Sequence, residues 1–399
     1  MYKISVPISL CSIPDNGFEQ GLKQYLSYCQ AGKISRVFLT NLQETVSKSY
    51  DEEMNTEKFS RAIHFFKSHG IKTGVCMAYS TWDLEGTDGL ELAKAFAGKT
   101  KPFLHLIGAP YHDKYVLTDA IENERLQAGW IKQLDNEIEV FAEGDVFPRP
   151  RYATPSKPLE LFDLAHKCDR NFDGNLKYMF DYNQPVGYEP GYMEKHLKYM
   201  DIHQQIQNLF ADKTGTGVQV FGAMHKIRDW NFPETCEDGI VRRLEQAYRS
   251  FTADILSKNS IPTCYAYSGY PVVAICGESA RSVPTDSLQN GAVLDATAAK
   301  ILAERGIDTG LLHTKDKMDF SGEYYISENQ TARGLADCRT QEVVCAEGAN
   351  VLSVFLPDKT LRHTRMKTKT ARVFWFFRVT FISAARTQII LTTIIGKIN

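Results

Sequence analysis

The chain has 399 residues, 46 Lys and Arg against 48 Asp and Glu, a formal net charge of -2 and a hydrophobic content of 43%. This composition is typical of a folded globular protein and argues against a disordered one. A near-neutral balance also argues against a nucleic-acid partner, because nucleic-acid-binding proteins usually carry a basic excess. The length suits one large α/β barrel or two domains.

The cysteines and the amino-terminal segment indicate the cellular compartment of the protein. The nine cysteines are scattered, and no pair has CxxC spacing, which favours thiols in a reducing compartment over a disulfide framework. The opening "MYKISVPISLCSIPDNGFEQ" has a short apolar run and no small-residue cleavage pattern of a signal peptide. The sequence therefore predicts a cytoplasmic protein with no membrane partner.

Strand-like and helix-like runs alternate up to about residue 267. The helix-like segment "TEKFSRAIHFFKSHG" spaces apolar Phe59, Ile63 and Phe66 three or four residues apart and ends at Gly70. Parallel strands need such long returns, so the alternation predicts an α/β fold, a (β/α)8 TIM barrel over residues 1–267. The predicted strands are 3–10, 35–40, 71–77, 103–107, 138–143, 174–181, 217–222 and 261–267.

The pattern of predicted strands and helices changes after residue 270. "GAVLDATAAKILAERGID" has the pattern of a strand and a helix closed by Gly306, which predicts a partial, smaller α/β domain over 268–358. From 359 to 399 the chain has nine Lys and Arg and no Asp or Glu. Arg372, Arg378 and Arg386 interrupt its apolar run, which is therefore a poor membrane span. We interpret 359–399 as a tail poorly adapted to the fold, with a membrane-surface or partner segment as the alternative.

Polar and aromatic side chains follow the fifth, sixth and seventh predicted strands. In a barrel of this kind, chemistry occurs at the carboxyl ends of the strands, where the βα loops meet. We therefore expect one pocket mouth lined by acids, arginines and aromatics. Its predicted residues are Glu143, Asp145, Arg149 and Arg151 after strand five, Asp181, Tyr182, Tyr188 and Glu189 after strand six, and His225 and Trp230 after strand seven.

Paired carboxylates at strand ends are what glycosidic cleavage requires, because one protonates the leaving oxygen while the other attacks the anomeric carbon or activates water. A nearby Arg keeps one carboxylate ionised, and burial raises the pKa of the other. We predict Glu143, Asp181 and Glu189 as catalytic residues. The other predicted residues would bind substrate, although acids at strand ends also cap helices and aromatics also pack cores. HExxH, GxSxG and a P-loop are absent, so we expect no metal and no cofactor.

Two segments resemble a known family. "GAVLDATAAKILAERGIDTGLL" resembles the start of the trimerisation domain of glycoside hydrolase family 42, which includes β-galactosidases. "EVFAEGDVFPRPRYATPSKPLELFD" and "DGNLKYMFDY" resemble barrel strands of that group. The features that match in the first segment are Leu294, Asp295, Ala298, Ala299, Leu302, Arg305 and Gly306.

The resemblance implies a retaining β-glycosidase, a flavodoxin-like trimerisation domain, a homotrimer, and an oligosaccharide or β-glycoside substrate. It also implies a catalytic Glu after the fourth strand and another after the seventh. Here the fourth predicted strand ends in "HLIGAP", and Gly222 follows the seventh. Two alternatives therefore stay open: a catalytically degenerate barrel that binds carbohydrate or assembles with partners, and a metal-dependent sugar isomerase.

Overall fold

The chain divides into two compact units, Met1–Thr214 and Gly215–Asn399. They are described separately, from a computed structural model. The residues that the structure describes are 2–40, 52–75, 94, 97–106, 117–145, 155–180, 186–187, 190–213, 215–223, 256–257, 259–265, 272–315, 322–333, 339–340, 342–347, 349–356, 361–367, 373–377 and 379–380.

The first unit contains a six-stranded parallel sheet in the order β3-β2-β1-β6-β5-β4. The described residues of this unit include six helices, which follow β1, β2, β4 and β5 singly and β6 as a pair. The strands are β1 Lys3–Ser9, β2 Arg36–Thr40, β3 Lys72–Val75, β4 Phe103–His105, β5 Glu139–Gly144 and β6 Gly174–Lys177. The helices are α1 Phe18–Ala31, α2 Glu52–Ser68, α3 Leu117–Leu134, α4 Ser156–Lys167, α5 Gly191–Lys198 and α6 Met200–Phe210, with 3-10 helices at Leu10–Ser12 and Asp15–Gly17.

The sheet curls so that its distant strands meet. Strands β2 and β4 are separated by β1, β6 and β5, which would place them about 19 Å apart in a flat sheet. Instead, the ring centroids of Phe38 and Phe103 are 5.0 Å apart. The Arg36 guanidinium lies over both rings and over Phe141. These side chains therefore occupy the concave face, as the inward residues of a barrel do.

The helices cover the opposite face. In β5, Val140 and Ala142 pack with Phe162 of α4 in a buried apolar cluster, whereas Phe141 faces inward against Phe103. This alternation is the period of two expected of a strand. Helix α1 buries residues at helical spacing against the sheet, namely Phe18, Leu22, Tyr25, Leu26 and Cys29.

The second unit contains a nine-stranded sheet in the order β13-β12-β16-β17-β18-β10-β9-β7-β8. Its pairs from β18 to β8 are parallel, and those from β13 to β18 are antiparallel. Its strands are β7 Val218–Phe221, β8 Thr263–Cys264, β9 Val273–Ile275, β10 Ala292–Asp295, β12 Gly322–Tyr325, β13 Gln330–Arg333, β16 Asn350–Leu356, β17 Leu361–Lys367 and β18 Val373–Phe377. Two small antiparallel pairs join β11 Leu311–Lys315 to β15 Glu342–Cys345 and β14 Arg339–Thr340 to β19 Val379–Thr380.

Helix α7, Ala296–Glu304, follows β10 directly in this unit. The Asp295 carboxylate caps it by accepting from the Ala298 N–H at 2.7 Å, and it also accepts from the Gly277 N–H at 3.0 Å. Two 3-10 helices, Gly277–Arg281 and Thr285–Leu288, lie between β9 and β10. The predicted strand and helix of "GAVLDATAAKILAERGID" are therefore confirmed.

The predicted α/β class with a parallel strand-helix alternation is confirmed, and the first six predicted strands are present. Among the described residues the first sheet has six strands, with β1 paired directly to β6, while β7 and β8 pair within the second unit. The domain boundaries at 267 and 358 and the trimerisation-like character of the second domain stay predictions.

Within the predicted tail, β17 and β18 join the nine-stranded sheet. Among the described residues, no helix is both long enough and apolar enough to cross a bilayer.

Candidate active site at the carboxyl end of β5

Glu143 lies at the carboxyl end of β5 and faces the concave side of the sheet. It is two residues after the inward Phe141 and pairs in register with Leu176 of β6. The side chain is buried, with 7% of the residue exposed. The Tyr178 hydroxyl, just after β6, donates to Glu143 Oε1 at 3.3 Å. Two neighbouring parallel strands thus bring a carboxyl and a phenol together.

The pKa of Glu143 is raised to about 8. Burial is the largest cause, the negative charges of Asp145 and Glu124 add to it, and the hydrogen bond from Tyr178 opposes them. Glu143 is therefore a protonated carboxylic acid at neutral pH. Its Oε2 is buried and has no hydrogen-bond partner among the described residues, so this oxygen can present the proton to a reacting group.

Asp145 follows one residue after the strand and is also buried. Its charge is one of the two that hold the Glu143 proton in place. The predicted carboxylate pair after β5 is therefore close enough for the charge of Asp145 to raise the pKa of Glu143. A neighbouring charge that keeps one carboxyl protonated is a recurring arrangement in general acid–base chemistry.

A second pair supports Glu143 from the helix side of the sheet. Glu124 of α3 accepts from the Glu143 backbone N–H at 3.2 Å, and its other oxygen lies 3.1 Å from Nε2 of His166 in α4. Both side chains are fully buried. His166 Nδ1 lies 2.7 Å from the Phe162 carbonyl, which can only accept, so Nδ1 carries a proton. The pair fixes the backbone that carries Glu143.

Sequence reasoning missed Glu124 and His166. Each lies on a helix whose apolar residues dominate the pattern, and nothing in the spacing marks either as a partner of β5. Eight of the ten predicted site residues lie outside the described residues: Arg149, Arg151, Asp181, Tyr182, Tyr188, Glu189, His225 and Trp230. Phe180, directly before Asp181, is described and buried.

A second buried cluster lies on the helix side of β6. It consists of Glu160 and Asp163 of α4, His196 of α5, His203 of α6, and the ammonium groups of Lys167 and Lys177. The four acid and imidazole side chains offer atoms within 4.8 Å of one another, a spacing that a metal ion accepts.

Lys177 already occupies the centre of this cluster. Its Nζ lies 2.8 Å from Glu160 Oε1, 3.0 Å from Asp163 Oδ2 and 3.0 Å from His196 Nδ1. An ammonium has three protons and accepts none, so these three acceptors satisfy it. Lys167 adds a second ammonium, 2.8 Å from Asp163 Oδ1. Two cations balance two carboxylates, and the arrangement is a neutral ion network rather than a cation-binding cage.

The pKa values in the cluster agree with this balance. Burial alone would raise the pKa of Glu160, but the neighbouring imidazoles of His196 and His203 and the charge of Lys177 bring it to about 2. Burial would likewise raise the pKa of Asp163, which the charges of Lys167 and Lys177 hold well below its ordinary value. Both carboxylates are therefore ionised at neutral pH.

Three solved structures of β-galactosidases are similar to this chain in fold. The β-galactosidase from the psychrophilic Marinomonas ef1 matches at 6% identity and a TM-score of 0.55, over 94% of this chain and 88% of its own. A catalytic mutant of Gan42B, a GH42 β-galactosidase from G. stearothermophilus, matches at 11% identity and a TM-score of 0.49, over 82% and 54%. The cold-adapted β-galactosidase from Rahnella sp. R3 matches at 10% and 0.48, over 82% and 55%.

The chain thus spans about half the length of the last two proteins. At 6% identity, the Marinomonas match shows a shared fold and nothing finer. No protein-family profile and no curated protein sequence matches the chain.

Proposed function

We propose that this protein is a retaining glycosidase of the β-galactosidase type in which Glu143 is the general acid/base. The observation that carries the proposal is the buried carboxyl at the end of β5, whose pKa is raised to about 8. Cleavage of a glycosidic bond needs an acid that keeps its proton at neutral pH and releases it to the leaving oxygen. The fold shared with a solved β-galactosidase is consistent with this role.

The partner carboxylate in this proposal is Asp181 or Glu189, on the segment after β6. Strands β5 and β6 are neighbours in the sheet, and the carboxyl ends of neighbouring parallel strands meet at one edge, which supports a pairing between acids that follow them. A retaining mechanism requires about 5–5.5 Å between the two carboxyl groups. The predicted Arg149, Arg151, Tyr182, Tyr188, His225 and Trp230 would bind the sugar, with Asp145 holding the proton on Glu143.

The test measures hydrolysis of 4-nitrophenyl β-galactoside and of the activated 2,4-dinitrophenyl β-galactoside by the full chain. Glu143→Gln should lower kcat/KM on the first substrate by about 10²- to 10⁴-fold. Glycosyl transfer from the dinitrophenyl substrate needs little protonation, so the first step on that substrate should survive as a burst of dinitrophenol. The exposed Glu137 gives the matched control, Glu137→Gln. Unchanged turnover in Glu143→Gln would refute the assignment.

A degenerate, carbohydrate-binding barrel is the second candidate, and one observation favours it. Among the described residues at the ends of β4 and β7, Leu106, Gly222 and Ala223 supply no carboxylate, although the family resemblance implies one at each end. Calorimetry with a panel of β-linked oligosaccharides separates the candidates. Binding without product release supports the degenerate barrel, and measurable hydrolysis excludes it.

A further inference from the structure

A cavity of about 360 Å³ opens at the amino-terminal ends of β1, β2 and β3, the end of the strands opposite to Glu143. No Asp or Glu occurs among its described lining residues. The cations that line it are Lys3, Lys33, Arg36, Lys72 and Lys167. A single surface lysine is common in any protein. Five cations around one cavity without a lining carboxylate are unusual, because like charges repel unless an anion lies between them.

Two of these cations share one carboxylate. Lys3 is ion-paired with Glu139 Oε1, and Arg36 Nη1 lies 3.6 Å from Glu139 Oε2. Glu139 is not among the residues that line the cavity. Arg36 Nη1 is buried and has no hydrogen-bond partner among the described residues. Two cations and one carboxylate therefore leave one net positive charge beside the wall of the cavity.

The charges of Lys33 and Lys72 are not balanced by a described carboxylate. Both side chains are exposed, and neither takes part in a hydrogen bond or ion pair with another described side chain. Lys33 also has a φ of 51°. This left-handed conformation is unfavourable for a residue with a Cβ and is commonly filled by Gly or Asn after a helix. The backbone conformation of the turn therefore does not account for a lysine at position 33.

The deep wall of the cavity stays electrically neutral. It contains Lys167, paired with Asp163, together with His196 and His203. Each imidazole Nδ1 faces an ammonium, His196 that of Lys177 at 3.0 Å and His203 that of Lys167 at 3.1 Å. A lysine only donates, so both Nδ1 atoms accept and both rings are neutral. The positive charge of the cavity therefore comes from Lys3, Lys33, Arg36 and Lys72.

We propose that this cavity is a binding site for a multivalent oxyanion of the phosphate class. Lys3 and Arg36, which share Glu139, contribute one net positive charge at the wall, and the exposed Lys33 and Lys72 contribute two further ammonium groups. The volume accommodates the ion with room for a small group attached to it. This site is independent of the glycosidase proposal, because it lies at the other end of the strands and its readout is binding.

The test is isothermal titration calorimetry of the full chain with inorganic phosphate at constant ionic strength set with sodium chloride. We expect a dissociation constant of about 1 mM or tighter. Lys33→Gln combined with Lys72→Gln should weaken binding by about a hundredfold, since each removes one charge-assisted contact. The matched control, Lys23→Gln with Lys157→Gln, removes two exposed lysines that do not line the cavity and should bind phosphate as the unmodified chain does.

A single variant guards against a folding artefact. Lys33→Gly removes the charge and relieves the left-handed backbone, so the protein should melt at the same or a higher temperature while phosphate affinity falls about tenfold. If the substitution damaged the fold instead, the melting temperature and the phosphate affinity would both fall. The proposal is overturned if phosphate does not bind, or if the Lys33 and Lys72 variants bind it as tightly as the control pair.

Discussion

The ionisation of Glu143 depends on neighbours with opposite effects. Burial and the charges of Asp145 and Glu124 raise its pKa, while the Tyr178 hydroxyl stabilises the charged form. A general acid must be protonated to act, so the alkaline limb of the pH–rate profile should report this pKa of about 8 in the free enzyme. The balance can be altered through one atom, the Tyr178 hydroxyl.

Tyr178→Phe removes the hydrogen bond that favours the Glu143 carboxylate. The pKa of Glu143 should therefore rise above about 8, and the alkaline limb of kcat/KM should move to higher pH by roughly 0.5–1 unit. The measurement is a pH profile on 4-nitrophenyl β-galactoside between neutral and alkaline pH. Tyr199→Phe, at the junction of α5 and α6, is the control and should leave the limb in place. A limb that moves to lower pH would contradict this account of Glu143.

At the residue scale, the sequence predicts which side chains lie at the end of a strand. It does not predict which side chains of other elements contact them. Glu143 and Asp145 were predictable because alternation in β5 fixes where the strand ends. The prediction of a close pair after β5 depends on local backbone alone. Glu124 and His166 were not predictable, because they come from α3 and α4 and meet β5 only after the helices pack.

At the scale of elements, the buried ion network links α4, α5 and α6 to β6. Glu160 and Asp163 lie three residues apart on α4, and Lys177 reaches both from the strand. In sequence these acids resemble the solvated face of an amphipathic helix, since Leu159 and Phe162 supply an evident apolar face. The network could not be predicted, because it requires the register between a strand and three helices.

Lys177→Met tests how much this network contributes to stability. It removes the central ammonium and leaves the buried Glu160 and Asp163 carboxylates with one cation fewer. Loss of one partner of a buried pair costs about 3–5 kcal/mol, so the free energy of unfolding in urea should fall by that amount. Lys157→Met, exposed at the start of α4, should change it by less than about 0.5 kcal/mol.

A second variant separates charge from packing. Lys177→Met combined with Glu160→Gln and Asp163→Asn removes both uncompensated carboxylates, so the triple variant should recover much of the lost stability. If the triple variant is as unstable as Lys177→Met alone, the loss comes from the shape of the side chain, and the electrostatic account of the cluster is wrong.

At the scale of the whole molecule, the alternation of strands and helices predicted the α/β class but not the partition of the strands. The hydrophobic pattern predicts a buried strand at β7, and it predicts the same for β1 through β6. The pattern therefore does not distinguish strands of the first sheet from strands of the second. Whether β7 follows β6 around the first sheet or begins another sheet depends on long-range pairing, and β1 takes β6 as its neighbour. A count of strands along the chain therefore does not tell which sheet each strand joins.

This partition predicts where the chain can be cut. All six strands of the first sheet, together with the buried apolar clusters around them, lie before residue 214. By contrast, β7 pairs with β9 through Val220–Ala274 and Phe221–Ile275. A cut at the sequence-predicted boundary of 267 keeps β7 and its partner β8 but removes β9, the other partner of β7, and so exposes one largely buried edge of β7.

We therefore expect a fragment of residues 1–214 to be monomeric by size-exclusion chromatography and to unfold cooperatively in urea, as followed by circular dichroism. The longer fragment 1–267 should be no more stable and should aggregate more readily, because the exposed edge of β7 can pair with another chain. The opposite result, a folded 1–267 and an unfolded 1–214, would show that β7 and β8 are needed to complete the first unit. It would restore an eight-stranded ring against the pairing of β1 with β6.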